Sequence, residues 1–162
     1  MIELKKINKS KINCCSELLL SNKKDTFYFH QLGWSPEQIK LQSNRDTNYS
    51  FGLWKSENIL GFILGNLLSI EKKSEYEILL LYVDINFRKQ GYASYLIDAV
   101  TQLLFLESTL SRIILEVSEN NRSAINLYKK NDFHQIAKRK KYYNLSNGQS
   151  FDALIFEKKI SE

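Results

Sequence analysis

The chain has 162 residues, 43% of them hydrophobic and 25% charged, with a formal net charge of +5 and a pI near 9.1. That length fits one domain with a substantial core, residues 1–162. No run of 18 apolar residues could span a membrane. The opening Met1-Ile2-Glu3-Leu4-Lys5-Lys6 lacks the basic-then-apolar layout of a signal peptide, so a cytoplasmic location is expected. Cys14 and Cys15 are adjacent and His30 and His134 are far apart, which excludes a disulfide framework and leaves no metal-ligand spacing. The positive charge favours an acidic partner, such as a coenzyme's phosphates, an acidic protein tail or RNA, without choosing among them.

In chain order, Ile2 to Ile7 reads as a short strand. Ile12, Cys15, Leu18 and Leu19 then recur at helical spacing and predict an amphipathic helix over 11–21, with the cysteines as small core fillers. Ser35-Pro36-Glu37-Gln38 is a helix start: Ser35 can cap, proline suits the first helical position, and Gln38 completes a capping box. Strands follow near 48–55, 59–69 and 76–83, the turns being Lys55–Asn58 and the polar stretch Glu71–Glu75, and together they form an antiparallel meander. Leu79-Leu80-Leu81-Tyr82-Val83 is continuously apolar, as in a strand covered on both faces. A helix from about Tyr92 to Glu107, a strand Arg112–Val117, a helix carrying Ala124, Leu127 and Tyr128, and strands near 135–144 and 151–160 complete the chain. The expected fold is a mixed, mostly antiparallel α/β sheet flanked by helices.

The loop from Val83 to Ala93 joins a buried strand to a helix whose N-terminal amides and dipole attract phosphate. Gly91 permits a tight turn or close approach of a ligand, Ala93 keeps the first turn small, and Arg88 and Lys89 add positive charge. By spacing alone this is also an ordinary strand-to-helix connection. Arg88-x-x-Gly91-x-Ala93, however, resembles the pyrophosphate-binding signature of the GNAT N-acetyltransferase superfamily. It is neither a P-loop nor a three-glycine dinucleotide fingerprint. The resemblance implies acetyl-CoA as co-substrate, with the backbone of Lys89, Gln90, Gly91, Tyr92, Ala93 and Ser94 around its pyrophosphate. It also implies that Leu81-Tyr82-Val83 pairs with the pantetheine arm like an added strand.

Acetyl transfer to an amine requires a proton acceptor for the ammonium, donors for the developing oxyanion and a proton for the departing thiolate. Ile114-Leu115-Glu116-Val117 places a carboxylate near the end of an apolar strand, and partial burial would suit Glu116 to take a proton. Backbone amides near Val83 could serve the oxyanion. Tyr128 offers a phenol on the next helix. By spacing alone, Glu116 could equally be a solvated strand-end charge and Tyr128 a core aromatic. A second resemblance bears on both. Leu115-Glu116-Val117, Asn121, Ala124-Ile125, Leu127-Tyr128 and Phe133 are similar to the ribosomal-protein-alanine N-acetyltransferase (RimI-type) branch. So are Arg139-x-x-Tyr142-Tyr143, Asp152-Ala153 and Trp34-Ser35. Three positions depart from that branch: Asp132 where glycine is usual, Asn120 where serine is usual, and Phe156 where methionine is common.

The resemblance implies Glu116 as proton acceptor, Tyr128 as proton donor and Asn121 as a coenzyme contact, a role compatible with a helix cap. It implies direct attack in a ternary complex on the N-terminal α-amine of a protein, a ribosomal one by branch analogy. A small-molecule amine, an aminoacyl-tRNA and, more remotely, a non-catalytic acyl-CoA-binding role remain open. A monomer or weak dimer is expected. The run Lys138–Lys141 reads as a solvated strand face, with nucleic acid contact only through proximity to the ribosome.

Overall fold

The computed structural model describes residues 1–160; the last two residues of the expected 1–162 domain lie outside the described residues. In chain order the elements are β1 (Ile2–Ile7), α1 (Ile12–Leu20), α2 (Lys23–Gln31), α3 (Pro36–Gln42), β2 (Ser50–Lys55), β3 (Asn58–Ile70) and β4 (Lys73–Val83). A 3-10 turn (Ile85–Phe87) leads into α4 (Tyr92–Glu107), β5 (Leu110–Ser118), α5 (Arg122–Lys130), β6 (His134–Asn144) and β7 (Ser150–Lys159). The seven strands form one sheet in the order β1-β2-β3-β4-β5-β7-β6. Its pairs are antiparallel except β4 with β5; β2 to β4 form the expected meander, and β1, three helices earlier in the chain, pairs antiparallel with β2. Among the described residues no helix is long and apolar enough to cross a membrane.

Two apolar layers cover the sheet. On one face Ile97, Val100 and Leu104 of α4 and Tyr128 of α5 pack on Ile63, Tyr76, Ile113 and Phe156. On the other, Ile12, Cys15, Leu18 and Leu19 of α1 and Ile39 of α3 pack on Phe62, Leu64, Leu80 and Tyr82. Cys15 is thus a core filler, and burial raises its thiol pKa far above the ordinary range, so it is no nucleophile.

Helix α2 has no apolar spacing to reveal it. None of its residues is fully buried, and what starts it is a cap: Asn22 accepts a hydrogen bond from the Asp25 amide at 3.0 Å. The Glu71–Glu75 turn is also tighter than expected. It shrinks to Glu71 and Lys72, with Glu71 at φ 55°, and β4 begins at Lys73.

Strand β4 carries the irregularity that matters most. Leu64 pairs with Leu80 but Gly65 pairs with Ile78, so Leu79 is an extra residue, a β-bulge. The extra residue reverses the alternation along the strand. Tyr76 and Ile78 face the α4–α5 layer, whereas Leu80 and Tyr82 face the α1–α3 layer. A continuous apolar run is what such a reversal requires.

Opposite the bulge, a methyl group added at Gly65 would fall 2.2 Å from the Tyr76 hydroxyl, which donates to the Tyr49 carbonyl at 2.7 Å. Tyr76 is fully buried and cannot move aside. Gly65→Ala should therefore lower stability by about 1–3 kcal/mol through overpacking. Urea unfolding should show a lower midpoint with an unchanged slope.

Candidate active site

Strands β4 and β5 run parallel only from Ser74↔Leu110 to Ile78↔Leu115. Beyond that pair, β4 continues to Val83 and β5 to Ser118 without pairing, so the sheet splits in its middle. The bulge at Leu79 stands at the point of parting, where added twist turns β4 away from its neighbour. The split leaves one edge of β4 with backbone groups that no strand pairs, an edge able to accept a further extended chain. A cleft fills the opening, bounded by Ile78–Leu81 on one side and Glu116–Ser118 on the other.

Glu116, Asn121, Tyr128 and Leu81, all expected site residues, meet in this cleft. Glu116 comes from the unpaired end of β5. It is not a lone carboxylate in an apolar strand: Arg139 of β6 pairs with it at 3.0 Å. Tyr128 is held from two sides. Its ring packs on Phe133 and Phe156, with centroids at 5.6 and 6.5 Å. The end of α5 closes on it as well, since the Phe133 amide donates to the Tyr128 carbonyl (3.0 Å) and the Asp132 amide to the Lys129 carbonyl (3.2 Å), the Schellman pattern. Asp132 takes the left-handed position at φ 65°, where glycine would be relaxed. Burial pushes the Tyr128 phenol well above its usual range, so the hydroxyl stays protonated. Asn121 caps α5, accepting from the Ala124 amide at 3.1 Å, and its side chain still borders the cleft.

Two further tyrosines belong to the site. Burial, with help from the negative charge of Glu116, pushes Tyr143 up to about 12. Burial also raises Tyr28, whose buried hydroxyl has no hydrogen-bond partner among the described residues. Tyr143 had a signal in the Arg-x-x-Tyr-Tyr pattern. Tyr28 had none, because it sits on the polar helix α2. Beside the cleft a wider groove runs past Gly33, Trp34, Gln38, Glu77 and Tyr142 to reach the same Glu116.

The α4 loop lies beyond the cleft, past the far end of β4. Gly91 is the N-cap residue, at φ 86° and with no side-chain cap, and Lys89 is also left-handed at φ 60°. The first bond of the helix runs from the Tyr95 amide to the Gly91 carbonyl (2.9 Å), so the amides of Tyr92, Ala93 and Ser94 have no acceptor within it. An added Cβ at Gly91 would meet nothing within 4 Å; the glycine answers to its positive φ rather than to crowding. The Ser94 hydroxyl accepts from Asn131 Nδ2 at 3.0 Å, tying the start of α4 to the end of α5, and keeps its own proton to donate.

The geometry sharpens some expectations and changes others. The Tyr82 side chain turns away from the cleft into the α1–α3 layer, so it presents only backbone to the open edge. The backbone beside Glu116 and Tyr128 is that of Leu79 to Leu81, not that near Val83. Arg88 is not a free cation: its guanidinium donates to Asp25 at 2.6 Å and to the Val83 carbonyl at 2.8 Å. The run Lys138–Lys141 is exposed along its whole length, as expected of a solvated face, but two of its charges are paired. Lys138 bridges Asp152 (2.8 Å) and Glu119 (3.4 Å), and Arg139 holds Glu116. Among the described residues no group of three or more His, Cys, Asp or Glu side chains could hold a metal.

The ribosomal protein bS18-alanine N-acetyltransferase of Haemophilus ducreyi is 32% identical over 127 residues, which is 78% of this chain and 83% of that protein. Among solved structures, Arabidopsis thaliana NAA60 in complex with a bisubstrate analogue superposes with a TM-score of 0.80 at 22% identity, covering 99% of each chain. The ribosomal-protein-S18-alanine N-acetyltransferase of Escherichia coli gives a TM-score of 0.80 at 19% identity, covering 100% of this chain and 96% of that one. At such identities the two structures speak for the fold. The family model described as the acetyltransferase (GNAT) family matches residues 16–133, a span that includes the α4 loop, Glu116 and Tyr128, and the chain belongs to that family.

Proposed function

We propose that this enzyme transfers acetyl from acetyl-CoA to the N-terminal α-amine of a protein, a ribosomal protein being the acceptor that its 32%-identical relative suggests. The observation that carries the reading is the meeting of Glu116 and Tyr128 in a cleft bordered by the unpaired edge of β4. Acetyl-CoA supplies the thioester. The amides of Tyr92 to Ser94, which have no acceptor within the helix, with Lys89, Gln90 and Gly91 before them, suit its diphosphate. The open edge from Leu81 to Val83 suits the amides of its pantetheine arm.

Glu116 takes one proton from the acceptor's ammonium, directly or through a water; the neutral amine then attacks the thioester carbon, and the second proton its nitrogen sheds on becoming an amide replaces the one that Tyr128 gives up. Backbone amides of Leu79 to Leu81 face the acyl oxygen. Tyr128 gives its proton to the sulfur as the C–S bond breaks, a role for which a phenol held protonated by burial is fitted. The groove past Trp34, Glu77 and Tyr142 leads the acceptor chain to Glu116. An α-amine, with a pKa near ~7.7–8.0, is the acceptor a single carboxylate can serve most readily. Incubation with acetyl-CoA, ribosomal proteins and a panel of free amines, followed by mass measurement, tests the acceptor. Acetylation of free amines alone would overturn it.

Acetyl-CoA at a hundredfold excess over its Kd should stabilise the fold by about 2.7 kcal/mol. In thermal melts that is a rise of roughly 5–10 °C for a domain of this size, with little shift from NAD or ATP. Tyr128→Phe keeps the ring packing and should lower kcat about 100-fold while the acetyl-CoA Kd stays within about twofold. Glu116→Gln should cost most below about pH 8, where the amine is protonated, and less above it. A loss that is flat with pH in rate profiles would assign Glu116 to binding instead.

A further inference from the structure

The loop that enters α4 is held in an unfavourable shape. Lys89 adopts the left-handed region at φ 60° without being glycine, and Gly91 follows at φ 86°. Short bonds within the segment support it: Asp84 accepts from the Asn86 amide (2.7 Å), and Gln90 donates to the Asn86 carbonyl (3.2 Å). These bonds close the segment on itself but do not fix where it stands relative to β4.

Arg88 does that through two arms of one planar guanidinium. Its Nε donates to the Val83 carbonyl at the end of β4, and its Nη2 donates to Asp25 Oδ2 on α2. The same Asp25 oxygen accepts from the Tyr82 hydroxyl at 2.7 Å, and the guanidinium lies over the Tyr82 ring at 5.2 Å. Asp25 is itself preset. It stands in the first turn of α2, where the helix dipole favours a carboxylate, and its side chain is only 17% exposed. One carboxylate therefore joins three elements: α2, the end of β4 and the loop. Helix α2 also supplies Tyr28 and Phe29 to the cleft wall.

We infer that Asp25 is a positioning residue for coenzyme binding, acting through Arg88 to fix the loop from Lys89 to Gly91 against β4. Arg88 on this account works as a two-armed strut rather than as a positive charge at the phosphates. The inference rests on the reading of that loop as the diphosphate site. A lysine at 88 separates the two roles for Arg88, because it keeps the charge but cannot reach Val83 and Asp25 together with a planar fork.

The test is calorimetric titration with acetyl-CoA, together with steady-state kinetics on the intact chain. Asp25→Asn should raise the acetyl-CoA Kd about tenfold, the loss of one charge-assisted hydrogen bond of the stronger kind, with kcat at saturating coenzyme within about twofold. Arg88→Lys should weaken binding similarly. Against an Arg88→Gln background, Asp25→Asn should add less than about a twofold effect, because its partner is already gone.

The proposal is overturned if Asp25→Asn binds acetyl-CoA as wild type does, or if Arg88→Lys does. It is equally overturned if the Asp25→Asn factor is the same in both backgrounds, or if kcat and acceptor KM deteriorate along with Kd as in general loosening of the fold. Should Asp25→Asn not fold, the Arg88→Lys titration decides alone. Wild-type protein that binds no acetyl-CoA would end both this inference and the loop reading, whereas normal wild-type binding with a silent Asp25→Asn would end this one only.

Discussion

The parting of β4 from β5 after the Ile78↔Leu115 pair is the constraint on which the rest of the molecule depends. A central sheet position is ordinarily closed, each strand edge being consumed by its neighbour. Here one extra residue, Leu79, adds twist and reverses the alternation of β4, so that Leu80 and Tyr82 anchor in the α1–α3 layer while Tyr76 and Ile78 anchor in the other. Both halves of the strand are thereby nailed down on opposite faces, and the neighbouring strand cannot follow. What opens is a cleft with unpaired backbone on one wall and Glu116 on the other. Unpaired backbone away from water is costly, which is why an opening of this kind points toward a ligand carrying amides of its own.

Around that opening the chain spends most of its specific interactions on orientation. The Schellman closure of α5 and two aromatic neighbours fix Tyr128. Asn131 ties the end of the same helix to Ser94 at the start of α4, so the phenol and the amide crown belong to one connected unit. Asp25 joins the opposite side, linking α2 to the loop.

The β6–β7 hairpin supplies the remaining wall by a similar device. Its register slips between Arg139 and Tyr143, and Lys141 enters the left-handed region at φ 51°. Asp152 holds this bulge, accepting from the Lys141 amide at 2.8 Å and pairing with Lys138. Those contacts keep the Asp152 carboxyl below the usual carboxylate range. The irregular strand brings both Arg139 and Tyr143 to Glu116, and the basic run is thus divided between structural pairs and exposed charge.

Much of this was legible in the sequence, for physical reasons that act locally. Helical spacing in Ile12–Leu19 and in Leu96–Leu104, the Ser35-Pro36 start, the Asn121 cap and the Arg88-x-x-Gly91-x-Ala93 pattern each depend on residues within a turn or two. The left-handed backbone at Asp132 had a pointer as well, in the glycine usual at that position in the RimI-type branch. What only the tertiary structure decided are pairings between distant segments. The continuous apolar run in β4 conceals its bulge, because either alternation would read the same. Helix α2 has no apolar stripe and is specified by its cap and by what it covers. The ion pairs Arg88–Asp25 and Arg139–Glu116 span 63 and 23 positions of chain, and no local pattern tells a charge which partner the fold will bring to it.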